Sequence, residues 1–284
     1  MLNVKSMKMY ALIALLGAVL LVVVGCGAAP AASPDVSPSA AATAATATSA
    51  PAETVELTVS AAASLTDALK EVETAYEAAH AGVKISFNFG ASGALQQQIE
   101  QGAPADLFLS AAAKNMKALV DKQLIDPAQQ TALLTNELVI VVPTDAKTVP
   151  AALADLTKPE VKAIAIGIPE SVPAGSYAKD ALTKAQLWDT LQAKIVQGKD
   201  VRQVLQYVET GNADAGFVYK TDALTSTKVQ VAFAADPATY APIVYPFGIV
   251  KATKHPQEAA DLYAYLQSQA AVDVFKKYGF SVSR

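Results

Sequence analysis

The sequence predicts an α/β fold of mostly parallel sheets with helices on both faces. Strand-like and helix-like stretches alternate throughout the chain, which is typical of βαβ units. The folded part runs from about residue 54 to residue 284, a length that suits one large or two modest lobes. Ligands bind at the carboxyl ends of strands in such sheets, so those ends are where a site is expected.

The individual elements follow from the periodicity of the apolar residues. Val55–Ser60 alternates apolar and polar side chains, as a half-buried strand does, and Leu65–Tyr76 repeats apolar side chains at helical spacing. The same patterns predict strands at Val83–Phe89, Leu107–Leu109, Leu138–Val142, Ala163–Ile168, Ala215–Tyr219, Val229–Phe233 and Ile249–Val250, and helices at Leu95–Ile99, Met116–Val120, Ser176–Leu187, Val201–Glu209 and Ala259–Tyr278. Ser110 and Asp200 are expected to cap the helices that follow them.

The first 25 residues have the pattern of a secretory signal. Lys5 and Lys8 precede an uncharged apolar run at Met9–Val24, which is 16 residues long and shorter than the ~20 residues of a membrane-spanning helix. The run ends at Val23-Val24-Gly25-Cys26, which resembles a bacterial lipoprotein lipobox. This resemblance implies cleavage before Cys26 and a lipid on its sulfur, and an uncleaved signal anchor is the alternative. As the only cysteine, Cys26 can form no disulfide within the chain.

Residues 26–54 are expected to form a flexible tether between the lipid and the folded part. The stretch Gly27–Ala52 consists almost entirely of Ala, Pro, Ser and Thr, with Asp35 as its one charge and no aromatic residue. It has little apolar bulk to offset the entropy that ordering would cost.

Charge and histidine content exclude two classes of function. A formal net charge of −4 at pH 7 argues against a protein that binds nucleic acid. His80 and His255 are the only histidines, and neither lies in a glycine-rich loop, near a serine nucleophile motif or at metal-ligand spacing. We therefore expect both to be surface residues and the protein not to be an enzyme.

Two serines stand at equivalent junctions. Ser64 and Ser92 each follow a predicted strand and open a segment with helical spacing, where a hydroxyl and free backbone N–H groups can bind one anion. Gly90 and Gly93 flank the second serine and allow the backbone to approach a ligand closely. Taken singly, each serine is explained as well by an ordinary helix cap or a tight turn.

Three further donors lie at predicted strand ends and helix starts. Ala174 and Val201 can each offer a backbone N–H in a first helical turn, and Tyr219 can offer its hydroxyl at the end of a strand. The alternatives are a simple loop, a plain capped helix and a half-buried strand tyrosine. Arg202 can bind an anion in bidentate fashion or pair with a local carboxylate. We expect it to lie next to the residues that contact the anion and not to contact the anion itself.

Taken together and in order, these segments resemble the molybdate-binding proteins of bacterial ABC uptake systems. Each segment is a weak signal alone, and the ordered set is specific. The resemblance extends from about Val55 to the C-terminus, although relatives often carry a run of serines where this chain has Gly90-Ala91-Ser92-Gly93. The matching segments are Ala61–Leu65, Gly102–Phe108, Val172–Gly175, Asp200–Arg202, Val218–Asp222 and Phe275–Phe280.

The resemblance implies a type II periplasmic-binding-protein fold, in which two α/β lobes are joined by a hinge with two crossings. We expect the crossings near Leu138–Pro143 and Val244–Val250, with lobe 1 formed by residues 55–138 and 249–284 and lobe 2 by residues 139–248. The resemblance also implies five ligand contacts, the first two from lobe 1 and the others from lobe 2. These are the hydroxyl and N–H of Ser64, the hydroxyl and N–H of Ser92, the N–H of Ala174, the N–H of Val201 and the hydroxyl of Tyr219.

The function implied is capture of molybdate, or of the nearly isosteric tungstate, and delivery to an ABC permease with its ATPase subunits. The metal would be held as the oxyanion through the same five residues, with no cofactor and no directly coordinated metal ion. The protein would be an exported monomer, lipid-anchored to the outer face of the cell membrane or periplasmic. A binding protein of the same fold for sulfate or another tetrahedral oxyanion is the alternative.

Overall fold

The computed structural model describes residues 54–283, so the predicted signal peptide, Cys26 and nearly all of the tether lie outside the described residues. The strands are β1 (Val55–Ala62), β2 (Val83–Gly90), β3 (Leu107–Leu109), β4 (Ile125–Thr135), β5 (Leu138–Pro143), β6 (Ile164–Gly167), β7 (Ile195–Gly198), β8 (Ala215–Tyr219), β9 (Val229–Ala234), β10 (Val244–Val250) and β11 (Ser281–Val282). The helices are α1 (Thr66–Ala79), α2 (Ser92–Glu100), α3 (Ala113–Asp121), α4 (Pro173–Lys184), α5 (Trp188–Leu191), α6 (Val201–Glu209), α7 (Lys220–Ala223), α8 (Pro256–Leu266) and α9 (Gln269–Lys277). In this part of the chain, no helix is both long enough and apolar enough to cross a membrane.

The strands form two sheets, which confirms the α/β class. The first sheet has the order β11-β4-β10-β3-β1-β2, and the second has the order β7-β6-β8-β5-β9. The prediction of mostly parallel sheets is wrong, because β10 runs antiparallel to β3 and β4 while β5 runs antiparallel to β8 and β9. Strands β5 and β10 each follow a passage of the chain from one sheet to the other.

We call each sheet with its own helices a lobe: residues 54–135 and 244–283 form lobe 1, and residues 138–234 form lobe 2. The chain passes between them at Asn136–Glu137 and again in residues 235–243. The predicted division assigned residues 244–248 to lobe 2, whereas the structure pairs them with β3 and β4 of lobe 1. The segments expected to cross between the lobes, Leu138–Pro143 and Val244–Val250, are strands β5 and β10, which each follow directly after a crossing.

Burial accounts for strand β5, and hydrogen bonds decide which predicted helix caps are present. Strand β5 lies inside the second sheet, and its residues Leu138–Val142 are all buried, as a continuous apolar run requires. Asp200 caps α6 as predicted, since its Oδ1 accepts a hydrogen bond from the N–H of Gln203 at 2.9 Å. The predicted cap at Ser110 is wrong, because α3 begins at Ala113 and the Ser110 hydroxyl bonds to Ala112 instead.

Three strands have no clear signal in the sequence. Strand β4 contains Pro127 and a polar stretch through Gln129 and Gln130, so it lacks an apolar alternation. Its pairing with β10, and not its own composition, makes it a strand. The short strands β7 and β11 lie at the edges of the two sheets and are likewise defined by a neighbour.

A close contact between α4 and β6 fixes the start of that helix. Gly175 lies in the first turn of α4, and a Cβ atom built on it would overlap the carbonyl oxygen of Gly167 in β6. The helix begins at Pro173, three residues before the predicted start, and Pro suits a first helical position. Ala174 consequently lies in the first turn of a helix whose position is set by contact between two backbones.

The substitution Gly175→Ala is expected to destabilise the protein by about 1–3 kcal/mol, because a methyl group has no room beside Gly167. This effect is opposite in sign to the gain in stability that alanine normally brings over glycine inside a helix. Urea denaturation followed by circular dichroism measures the difference. Gly82→Ala is the matched control, since nothing lies within 4 Å of its Cβ position. A Gly175→Ala variant as stable as this control would contradict the close packing of α4 on β6.

Candidate functional site

A small cavity lies between the two lobes at the ends of several strands. Its volume is about 10 Å³, whereas four other clefts in the described part of the chain measure about 440 to 560 Å³. A space of that size holds about one water-sized sphere, so the cavity suits a single small ion. Its lining residues are Ala62, Ala63, Ser64, Gly90, Ala91, Ser92, Ala111, Val172, Pro173, Ala174, Val201 and Tyr219. The structure therefore brings together all five residues that the sequence singled out.

Four helical starts meet at this cavity. Ser64 lies in the 3-10 turn Ala63–Leu65 that leads into α1, and Ser92 is the first residue of α2. Ala174 and Val201 are the second and first residues of α4 and α6. Because the first N–H groups of a helix have no partner within it, each start can offer backbone donors together with the positive end of the helix dipole. The arrangement favours an anion.

The hydroxyl of Ser92 is oriented by the backbone. Its Oγ accepts a hydrogen bond from the N–H of Ala111 at 2.9 Å, and the side chain is completely buried. A hydroxyl oxygen that accepts this bond keeps its own proton available for a second partner. Ala111 follows β3 and also lines the cavity, but an alanine gives no sequence signal for such a role.

The hydroxyl of Tyr219 is an uncommitted donor. Its Oη is buried and has no hydrogen-bond partner among the described residues. Burial raises the pKa of this phenol well above its usual value, so the group stays protonated at physiological pH. A buried hydroxyl without a partner is costly unless something in the cavity accepts its hydrogen bond.

The cavity has no charged side chain among its lining residues, and Arg202 pairs with two carboxylates instead of lining it. The guanidinium places Nη2 2.5 Å from Oδ2 of Asp67 in α1 and Nε 2.8 Å from Oδ1 of Asp222 in α7. Asp222 is fully buried and also accepts the N–H of Tyr219 at 3.2 Å. Desolvation raises the pKa of Asp222 to about 6 despite the nearby arginine. Arg202 therefore pairs with carboxylates, one of the two alternatives that the sequence leaves open, and does not line the cavity.

Polar contacts join the two lobes. Arg202 of lobe 2 pairs with Asp67 of lobe 1, and Lys114 Nζ of lobe 1 donates to Ser176 Oγ of lobe 2 at 2.9 Å. In addition, the N–H of Gly93 donates to the carbonyl oxygen of Ser171 at 2.9 Å. All but one of the lining residues are buried. The lining residues are therefore largely screened from solvent.

The histidines lie elsewhere. His80 is exposed and stacks on Tyr76 with ring centroids 4.0 Å apart, and His255 is half-buried before α8. Neither residue lines the cavity. Residues 54–283 contain no group of three or more His, Cys, Asp or Glu side chains that could hold a metal ion.

Comparisons with known proteins identify relatives of this chain. A family model described as bacterial extracellular solute-binding protein matches residues 57–281. The chain is 56% identical to YvgL of Bacillus subtilis, named as an ABC transporter substrate-binding lipoprotein, over 80% of this chain and 86% of that one. It is 40% identical to the molybdate-binding protein ModA of Haemophilus influenzae, over 80% of this chain and 91% of ModA.

Solved structures give the same fold. The periplasmic molybdate-binding protein of Azotobacter vinelandii superposes with a TM-score of 0.73 at 24% identity, covering 80% of this chain and all of that one. The two sheets, the double passage between them and the cavity at their junction are the features of the type II periplasmic-binding-protein fold. The chain belongs to the bacterial extracellular solute-binding protein family.

Proposed function

We propose that this protein captures molybdate, and equally tungstate, and delivers it to an ABC importer. The observation that carries the proposal is a small cavity of about 10 Å³ lined by hydroxyls, helix starts and small apolar side chains, with no carboxylate, amide or imidazole side chain. Such a lining offers hydrogen-bond donors and no side chain that only accepts. The relation to molybdate-binding proteins at 40% identity supports the same ligand.

Molybdate is a tetrahedral dianion that is fully deprotonated at neutral pH, so it presents acceptors only. Hydroxyls of Ser64, Ser92 and Tyr219 and the first-turn N–H groups of Ala174 and Val201 suit it, and these five are the contacts we propose. Phosphate keeps a proton near neutral pH and favours a site that also contains an acceptor. Sulfate presents the same acceptors as molybdate, so cavity size must separate the two, because the Mo–O bond is longer than S–O.

Binding and delivery require the lobes to move. The ligand enters when the lobes separate, and donors from both lobes then surround it as they close. We propose that the closed form is what the permease and its ATPase subunits receive, and that the protein works as a monomer tethered through lipid on Cys26 to the outer face of the membrane. The relation to a substrate-binding lipoprotein at 56% identity supports the anchor. A solute-binding role needs no catalytic group.

Molybdate and tungstate are expected to raise the melting temperature, because a ligand at 100 times its Kd stabilises the native state by about 2.7 kcal/mol. For a domain of this size that corresponds to roughly 5–10 °C. Differential scanning fluorimetry with molybdate, tungstate, sulfate, phosphate and no added ion measures the shifts at constant ionic strength. A shift with sulfate or phosphate alone would contradict the choice of molybdate.

Removal of single hydroxyls is expected to weaken molybdate binding about 10- to 100-fold, because each hydrogen bond to a charged ligand is worth about 1.5–3 kcal/mol. The variants are Ser64→Ala, Ser92→Ala and Tyr219→Phe, measured by isothermal titration calorimetry. Ser86→Ala and Tyr263→Phe serve as controls, since neither residue lines the cavity. Unchanged affinity in all three variants would place the ligand elsewhere.

Expression of the full chain in a bacterial host is expected to leave the protein in the membrane fraction, with an intact mass that starts at Cys26 and includes a diacylglycerol group. Cys26→Ser is expected to prevent lipid attachment and processing at this position. Mass spectrometry of the purified protein separates the two forms. If wild type and Cys26→Ser both show the mass of the uncleaved chain without lipid, the segment is instead a signal anchor.

A further inference from the structure

A tyrosine outside the cavity contacts one of the serines that line it. Tyr245 lies in β10, is completely buried and places its Oη 3.0 Å from Oγ of Ser64. The same Oη lies 3.1 Å from Nδ2 of Asn136, which is in the first passage between the lobes. Tyr245 does not line the cavity, so its hydroxyl acts there only through Ser64.

The direction of these hydrogen bonds follows from Asn136. Its Oδ1 accepts the N–H of Glu137 at 2.9 Å, which fixes the orientation of the amide. Its Nδ2 therefore faces Thr221 Oγ1 at 2.9 Å and Tyr245 Oη, and an amide nitrogen can only donate. Tyr245 Oη thus accepts from Asn136, which leaves the tyrosine's own proton for Ser64.

The hydroxyl proton of Ser64 is then available to a ligand in the cavity. With Tyr245 as the donor of this 3.0 Å bond, the hydroxyl proton of Ser64 takes no part in it and is free for a ligand. Burial raises the pKa of Tyr245 well above its usual value, so the tyrosine keeps the proton that it donates. Ser92 Oγ likewise accepts a hydrogen bond, in its case from the N–H of Ala111, and its hydroxyl proton is also free for a ligand.

We propose that Asn136 and Tyr245 are positioning residues that fix Ser64 as a hydrogen-bond donor and thereby make the cavity select fully deprotonated oxyanions over oxyanions that carry a proton. This inference rests on the proposed function, since it concerns selectivity at that site. A hydroxyl that accepts the proton of an oxyanion must turn its own proton elsewhere, and the relay offers the Ser64 proton no acceptor, since Tyr245 Oη donates to Ser64 and accepts from Asn136. The backbone N–H of Ala111 does the same for Ser92 and cannot be removed by changing a side chain.

Tyr245→Phe tests the relay and keeps the ring packed against Phe280, whose centroid lies 5.3 Å away. Molybdate affinity is expected to fall about 3- to 10-fold, since Ser64 is no longer oriented. Phosphate, measured at pH 8 by competition with molybdate, is expected to lose less affinity or to gain, because the Ser64 hydroxyl can now rotate and accept its proton. The ratio of the phosphate Kd to the molybdate Kd should therefore fall by about tenfold.

Asn136→Ala is the second variant, because a half-buried residue between the lobes is easier to truncate than a buried tyrosine. It is expected to change the Kd ratio in the same direction and by less, since Tyr245 keeps its hydroxyl but loses the donor that orients it. Tyr263→Phe is the matched control and should leave the ratio unchanged. Thermal melts of each variant without ligand report whether the fold is retained.

The outcomes separate this inference from the proposed function. If wild type does not bind molybdate, the proposed function is wrong. If wild type binds molybdate and both variants weaken molybdate and phosphate equally, Tyr245 and Asn136 only support the fold and the inference is wrong. A fall in the ratio in folded variants supports the relay.

Discussion

The constraint on which the proposed function depends is the burial of an anion without a cation. A buried charge must be met by hydrogen bonds or an opposite charge, and the cavity lining has no charged side chain. Partial positive charge must therefore come from backbone N–H groups at helix starts and from hydroxyl protons. A single helix start offers few such groups, so several elements have to converge on one point, and two sheets whose strands end at a common junction provide that convergence.

Much of the fold serves to hold those donors in place. The backbone contact between Gly175 and Gly167 sets α4 against β6, and the capping of α6 by Asp200 fixes the turn that contains Val201. Charges are present nearby but are kept out of the cavity. Arg202 is paired with Asp67 and Asp222, so it joins the lobes without competing for the ligand.

The sequence could predict the five cavity residues because their signals are local. A small polar residue or a proline at a strand-to-helix junction is visible within a few positions, and the resemblance joined those junctions into one site. The supporting residues depend on contacts between distant parts of the chain: Tyr245 is 181 residues from Ser64, and Arg202 is 135 residues from Asp67. Strand β4 was missed for the same reason, since its partner β10 defines it. Local pattern therefore identified the cavity residues but not their contacts with distant parts of the chain.

The bond between the N–H of Gly93 and the carbonyl oxygen of Ser171 limits which residue position 93 can hold. A Cβ atom on Gly93 would lie 2.7 Å from that oxygen, yet the two residues belong to different lobes and meet only when the lobes are together. The three atoms nearest to that Cβ position all belong to Ser171, so the absence of a side chain at Gly93 serves the contact between the lobes.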